Sequence, residues 1–215
     1  TCPHCVKVKI IRVVHIDTQS ICSVSQLITI GERSVPQYVS LVVQGYAVDG
    51  IGPQDAVVTR PRLDSNKGII ISCGINPGYG RLDAYNMAIS VVDEALRNLV
   101  ATGGDIKKAA ILDNFCLSSP DREEVLGDLV MSARGCYDAA KAFGVPFISG
   151  KDSLYNEWAD NEGKSHLIPP TLLISAISVI DDVKKCVTMD LKETDSEIYL
   201  IGETKEELGG SEYFR

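Results

Sequence analysis

The sequence predicts an α+β fold: a two-layer structure in which two long helices lie on one face of a mixed β-sheet. Three observations carry this expectation. Between Asp55 and Glu203 the apolar pattern switches regularly between a period of two and one near 3.6, the strand and helix signatures. Two segments, opening at Asp83 and at Ser119, combine an apolar stripe with helix start and stop residues. Breaks at Pro169-Pro170 and near Asp195 interrupt a strict β-α-β alternation, so some strands must return antiparallel.

Taken in order, residues 56–60 and 68–72 read as strands, and a loop rich in Gly and Pro follows from Cys73 to Gly80. Asp83 is the N-cap of the first long helix, which runs to about Thr102 and is stopped by Gly103-Gly104. Its Ala84, Met87, Ala88, Val91, Ala95 and Leu99 fall on one face. Residues 109–113 form the next strand. The second helix opens with Ser119 as N-cap and Pro120 at its first position, carries Asp121, Glu123 and Glu124 near the positive end of its dipole, and stops at Gly144. Residues 145–149 form a strand leading into Gly150-Lys151-Asp152-Ser153, and residues 171–180 a buried strand; residues 186–189 and 198–201 are further strand candidates.

Residues 1–50 show strand-like runs at 6–16 and 38–43 with no helix between them, and read as a separate, partly linker-like segment. Residues 51–203 hold the α/β domain, and residues 204–215 lead away from it.

Composition narrows the function. Of 215 residues, 45% are apolar and 23% charged, enough apolar surface for a core. The net charge of -8 and the absence of Lys/Arg runs exclude bulk-charge binding of nucleic acid. A phosphorylated small molecule remains compatible if backbone N–H groups, a helix N-terminus or a divalent cation supply positive field. Seven scattered cysteines point to a reducing cytoplasm, no leader of export type opens the sequence, and the longest apolar run is too short to span a bilayer.

Glu94 and Asn98 lie one turn apart on one helix face, and Asp55 stands at the entry of the first strand. Hard oxygen donors of this kind suit Mg2+. The alternative is that Glu94 is a solvated helix residue paired with Arg97 or Arg60. Asp113-Asn114 ends a strand, where α/β folds place ligand contacts, or else forms an Asx turn. Gly150-Lys151-Asp152-Ser153 is similar to part of a phosphate-binding loop but lacks the first glycine of a Walker A loop. Cys2-Pro-His-Cys5 copies a redox spacing without the preceding strand that would lower a thiol pKa, and no second pair exists to complete a zinc site.

The order and surroundings of these motifs resemble one family, the synthetase component of the phosphoribosylformylglycinamidine synthases. The residues that carry the resemblance are Gly52-Pro-Gln-Asp-Ala56, Gly74-Ile-Asn-Pro77, Asp93-Glu-Ala-Leu-Arg-Asn-Leu99, Ile111-Leu-Asp-Asn-Phe115, Val145-Pro-Phe-Ile-Ser-Gly-Lys-Asp-Ser-Leu-Tyr-Asn-Glu157, Ile168-Pro-Pro-Thr171 and Gly209-Gly-Ser-Glu-Tyr213. The resemblance covers Gly52 to Arg215 and is similar to the α/β domain of the second synthetase half, of the aminoimidazole ribonucleotide synthetase N-terminal-domain type. It implies a fragment in which residues 204–215 lead toward a following domain.

It also implies an ATP-dependent ligase of purine biosynthesis that converts formylglycinamide ribonucleotide to its amidine, with Mg2+ and ATP/ADP as cofactors. A glutaminase domain or subunit would supply ammonia, and the remaining synthetase domains or a homodimer partner would complete the site. By resemblance, Asp55, Glu94 and Asn98 correspond to magnesium-holding positions and Gln54 to a nucleotide contact in long-chain members. Asp113 and Gly150 correspond to nucleotide contacts, and Ser153 to a substrate contact, in shorter members. Lys151 departs from the metal-binding Asn of those shorter members, and a Lys reaching a phosphate would be its replacement. Two alternatives stay open at this point: a nucleotide-binding domain without catalysis, and another synthetase of the same superfamily, such as a selenophosphate or aminoimidazole ribonucleotide synthetase.

Overall fold

The computed structural model describes residues 54–62, 64–189, 194–199, 205–209, 211 and 213, together with the backbone of residues 42–44. The Cys2–Cys5 pair and the strand-like run at 6–16 lie outside the described residues, as do most of the run at 38–43 and residues 200–204.

Among the described residues a six-stranded mixed sheet has the order β1-β2-β3-β8-β4-β5, built from β1 (Val42–Gln44), β2 (Val57–Thr59), β3 (Gly68–Ile75), β4 (Ala109–Cys116), β5 (Phe147–Ser153) and β8 (Thr171–Ile180). Only β4 and β5 are parallel, as befits strands joined through a helix. All other neighbours are antiparallel. A separate hairpin pairs β6 (Glu157–Ala159) with β7 (Ser165–Leu167).

Helix α2 (Ala84–Ala101) packs on β3 and β8, and α3 (Glu123–Phe143) packs alongside α2. The strand register puts Ile70, Ile111, Leu172, Ile174 and Ala176 on the helix side, where all five are fully buried with Met87, Val91, Val92 and Leu99. Each of these Ile, Leu, Val and Met side chains contributes roughly 1.5–3 kcal/mol of transfer free energy. Ile69, Ile71, Leu173 and Ile177 point to the other face and are only half-buried. No helix among the described residues is long and apolar enough to cross a membrane.

The first long helix forms as expected, with the Asp83 carboxylate accepting from Asn86 N–H and Gly103 following the Thr102 cap at φ 108°. The end of α3 also agrees: Gly144 takes the left-handed conformation at φ 67° and donates to the Ala140 carbonyl.

Four expectations are corrected. The loop placed at residues 73–80 is instead the last three residues of β3 plus a short helix, α1 (Pro77–Gly80), capped by the Asn76 side chain, because Cys73–Ile75 find ladder partners in Leu173–Ser175. Helix α3 begins at Glu123, behind Arg122, rather than at Ser119-Pro120. Ser118 is held elsewhere, its hydroxyl bonding the Asn156 carbonyl and the Ile168 N–H, while Ser119 points its N–H to Glu157 and its hydroxyl accepts from Asp121 N–H in a turn ahead of the helix. Gly150–Ser153 is no loop but the end of β5, paired with Asp113–Cys116. Residues 186–189 make no strand, since Val187 N–H bonds the Thr102 carbonyl and Met189 N–H the Gln54 side chain.

Candidate functional site

One row across the helix-side face of the sheet runs Gly74, Ile174, Asp113, Gly150 on β3, β8, β4 and β5. Three interstrand steps of about 4.8 Å separate its ends by roughly 14 Å. The row crosses the parallel strands β4 and β5 near their middles, so Asp113-Asn114 lies inside β4, paired with Gly150 and Lys151, rather than at a strand end or in an Asx turn.

At the β3 end, Glu94 and Asn98 both reach back from α2 to the strand. Glu94 Oε2 accepts from Ile75 N–H at 2.9 Å, and Asn98 Nδ2 donates to the Cys73 carbonyl at 3.0 Å. Between those contacts stands Gly74, whose hydrogen lets helix and strand backbones touch: a Cβ there would sit 2.1 Å from the Val91 carbonyl oxygen. Glu94 is 3% exposed, so the reading of it as a solvated helix residue is overturned. Arg97 pairs with Asp93 on the outer side at 2.5 Å instead.

Asp55 is half-buried in the bend before β2. The β2–β3 register, with Val57 opposite Ile71, carried two residues further brings it toward Cys73. Gln54 is 2% exposed, and its side-chain oxygen accepts from Met189 N–H at 3.1 Å, which ties the segment after β8 to the start of β2.

At the β5 end, the Asp113 carboxylate lies directly over Gly150, where a Cβ would come within 2.3 Å of Oδ1. Burial, then the neighbouring Asp152 carboxylate, raises the Asp113 pKa above its ordinary 3.8, while the Lys151 backbone N–H works the other way. Lys151 and Ser153 point to the opposite face by strand alternation, with the Lys151 ammonium donating to the Ser153 hydroxyl. The structure therefore brings Glu94 and Asn98 together at one end of β3 and sets Asp113 and Gly150 in the row of Gly74. It separates Lys151 and Ser153 from them by the thickness of the sheet.

The carboxylates mark their neighbours. Cys73 is pushed up to about 12 by burial and by Glu94, and Cys136 to about 12 by burial and by Asp113, so neither thiol is a nucleophile at neutral pH. Among the described residues no three His, Cys, Asp or Glu side chains converge as a metal cluster. A divalent cation here would draw on the hard oxygens of Glu94 and Asn98 together with those of a ligand, donors of the kind that suit Mg2+.

Sequence reasoning assigned no role to the residues that brace this end of the sheet. Asn156 Nδ2 donates to the Ser153 carbonyl and Arg122 reaches both Glu157 and Ser165, joining β5, the hairpin and the start of α3. The Asn156-Glu157 pair following a strand end was the one signal available.

Because the raised Asp113 pKa stabilises the fold only where the group is protonated, its contribution is complete below 3.8 and is lost as pH rises through the raised folded value. Asp113→Asn is therefore expected to raise the melting temperature slightly at pH 7 and to leave it unchanged at pH 3. Calorimetry at the two pH values checks this, and a lower melting temperature at pH 7 would contradict the assignment.

The geometry defines a class: a two-layer α+β domain in which two helices cover one face of a mixed sheet, with Glu94 and Asp113 set over glycines of that face. The chain belongs to the family described as AIR synthase related protein, N-terminal domain, whose model matches residues 53–180. It is 37% identical over 161 residues, 75% of its length, to the phosphoribosylformylglycinamidine synthase subunit PurL of Thermoplasma volcanium. It spans about a fifth of the length of that relative, 20%. Among solved structures, PurLQS from Thermotoga maritima is 26% identical with a TM-score of 0.53, over 64% of this chain and 22% of that one. T. maritima PurL complexed with FGAR is 25% identical with a TM-score of 0.50, over 62% and 20%. Its complex with ADP, 21% identical with a TM-score of 0.55 over 85% and 27%, shares the fold.

Proposed function

We propose that the chain is the nucleotide-binding α/β part of a phosphoribosylformylglycinamidine synthase, an ATP-dependent carbon–nitrogen ligase of purine biosynthesis. The observation that carries this reading is the 161-residue stretch 37% identical to PurL. The complexes of T. maritima PurL with ADP and with FGAR support ATP and formylglycinamide ribonucleotide as its ligands.

In the reaction the substrate amide oxygen attacks the terminal phosphorus of ATP and ADP leaves. Ammonia then forms the new C–N bond as phosphate departs with the former amide oxygen. Glu94, Asn98 and Asp55 would hold Mg2+, which neutralises phosphate charge when bound. Gln54, Asp113 and the Gly150 backbone would meet the nucleotide from the helix side. Lys151 would reach a phosphate, and Ser153 the ribonucleotide, from the opposite face. A glutaminase domain or subunit would supply the ammonia in the cytoplasm, and remaining synthetase domains or a second copy would cover the half-buried face of Ile69, Ile71, Leu173 and Ile177.

Calorimetric titration of ADP with and without Mg2+, on the wild-type chain and on Glu94→Gln, tests the site. Gln keeps an acceptor for Ile75 N–H while removing the charge. Mg2+ is expected to tighten ADP binding about tenfold, near 1.4 kcal/mol, in wild type and to have little effect in the variant. Equal affinities in all four titrations would remove the site.

A further inference from the structure

The outer surface of α3 carries a seam that the fold leaves uncovered. Leu126, Val130, Ala133 and Tyr137 recur at spacings of four, three and four, so they form one narrow stripe along the helix. All four are exposed, the three large ones by 47%, 57% and 60%, whereas the buried face of the same helix is built from Val125, Ser132, Gly135, Cys136 and Ala139. Beside the stripe, Gly127 is bare: a Cβ added there would meet nothing within 4 Å. A 4-3-4 apolar spacing is what a second helix packs against, knobs into holes.

The charges say which helix. Glu123 in the first turn and Lys141 in the last stand eighteen residues apart, five turns at about 3.6 residues each, and so lie on the same edge of the stripe. Lys141 leans along the seam, its Nζ 5.3 Å from the Tyr137 ring centre. Two copies of α3 laid antiparallel about a two-fold axis at the level of Ser132 set Glu123 of each copy against Lys141 of the other. The same register sets each Tyr137 ring over the bare Gly127 of the second copy, and it opposes the two helix dipoles favourably. A parallel pairing would stack Glu123 on Glu123 and Lys141 on Lys141.

We propose that α3 is a docking surface for a second copy of this chain, through an antiparallel, two-fold α3–α3 contact centred near Ser132. A single pair of 21-residue helices, about 31 Å long, buries less than a standard interface of about 1,600 Å2, so the dimer is weak and depends on concentration. The surface is distinct from the open face of the sheet.

Disulfide trapping on the full 215-residue chain tests it. Two copies of residue 133 lie about 3 Å apart along the helix axes, two copies of residue 126 about 18 Å. Mild oxidation of Ala133→Cys is expected to give a 133–133 linkage, identified by peptide mass spectrometry, that Leu126→Cys does not give. In sedimentation equilibrium, Glu123→Lys should reduce the dimer fraction, and adding Lys141→Glu should restore it. Both substitutions are on the helix surface, so a lost dimer is not a lost fold. Absence of the 133–133 linkage, equal linkage at 126 and 133, or failure of the charge swap to restore the dimer would each overturn the proposal. Association through the sheet face would give the first or third of these outcomes.

Discussion

The isolated 215-residue chain is expected to release no ADP in response to formylglycinamide ribonucleotide, even with ATP, Mg2+ and ammonia supplied. Its candidate ligand positions are open on one side: Gly150, Lys151 and Asp152 are solvent-exposed on the edge strand β5. Asp113 and Lys151 face opposite sides of the sheet, so a ligand held by one is not enclosed by the other. Phosphoryl transfer gains most of its rate from positioning and from exclusion of water, and small misplacements of a reacting group cost about 10²-fold. The chain spans a fifth of the PurL relative, 20%, and the missing walls would come from the rest. The check is substrate-dependent ADP release by the monodisperse chain beside a longer chain that restores the flanking synthetase segments. The short chain should be slower by at least about 10²-fold. Comparable rates would show that this stretch is a complete enzyme.

The second large effect is expected at Gly74. A Cβ on Gly74 would lie 2.1 Å from the Val91 carbonyl oxygen and 2.8 Å from the Ala95 nitrogen. Both obstacles are backbone of α2, so no rotamer change relieves the clash, and the helix must move outward. That movement pulls Glu94 from Ile75 and Asn98 from Cys73, so stability and candidate site fail together. Gly74→Ala is expected to cost about 3 kcal/mol, the upper range for overpacking, which for a chain of this size lowers the melting temperature by roughly 6–12 °C. Gly127→Ala is the internal control. Gly127 lies inside α3 with open space around it, so the same substitution should stabilise by about 0.5–1 kcal/mol through helix propensity. Thermal unfolding of the two variants compares them directly, and a Gly74→Ala protein as stable as wild type would mean that α2 and β3 are not in backbone contact.

Much of the architecture was legible because it rests on local chemistry. Asp83 as N-cap, the stripe from Ala84 to Leu99, the left-handed Gly144 and the ten-residue strand β8 each depend on a few neighbouring residues whose backbone preferences agree with the final fold. The misread segments are those where long-range contacts outweigh a local signal. Gly74 and Gly150 carry loop residues' preferences yet lie in strands, since a helix backbone packs on the first and a carboxylate on the second. Ser119-Pro120 carries a helix-start signature, yet Ser118, its neighbour, is spent on holding Asn156 and Ile168. The hairpin β6–β7, turned at Gly163 with φ 79° and joined by the stacked rings of Trp158 and His166, was not anticipated, because three-residue strands give too short a period to read.

By itself the sequence determined the layer architecture, the two helices with three of their four ends, the family resemblance, and the pairing of Glu94 with Asn98 on one helix face. Those follow from periodicity and from spacing within one element. Only the tertiary structure decided that Glu94 is buried against Ile75 instead of solvated beside Arg97. It also decided that Asp113 and Gly150 share a row with Gly74, and that Lys151 and Ser153 turn away from it. The reason is that burial and sheet register depend on which strands become neighbours, and β3, β8, β4 and β5 meet across stretches of chain whose local signals say nothing about one another.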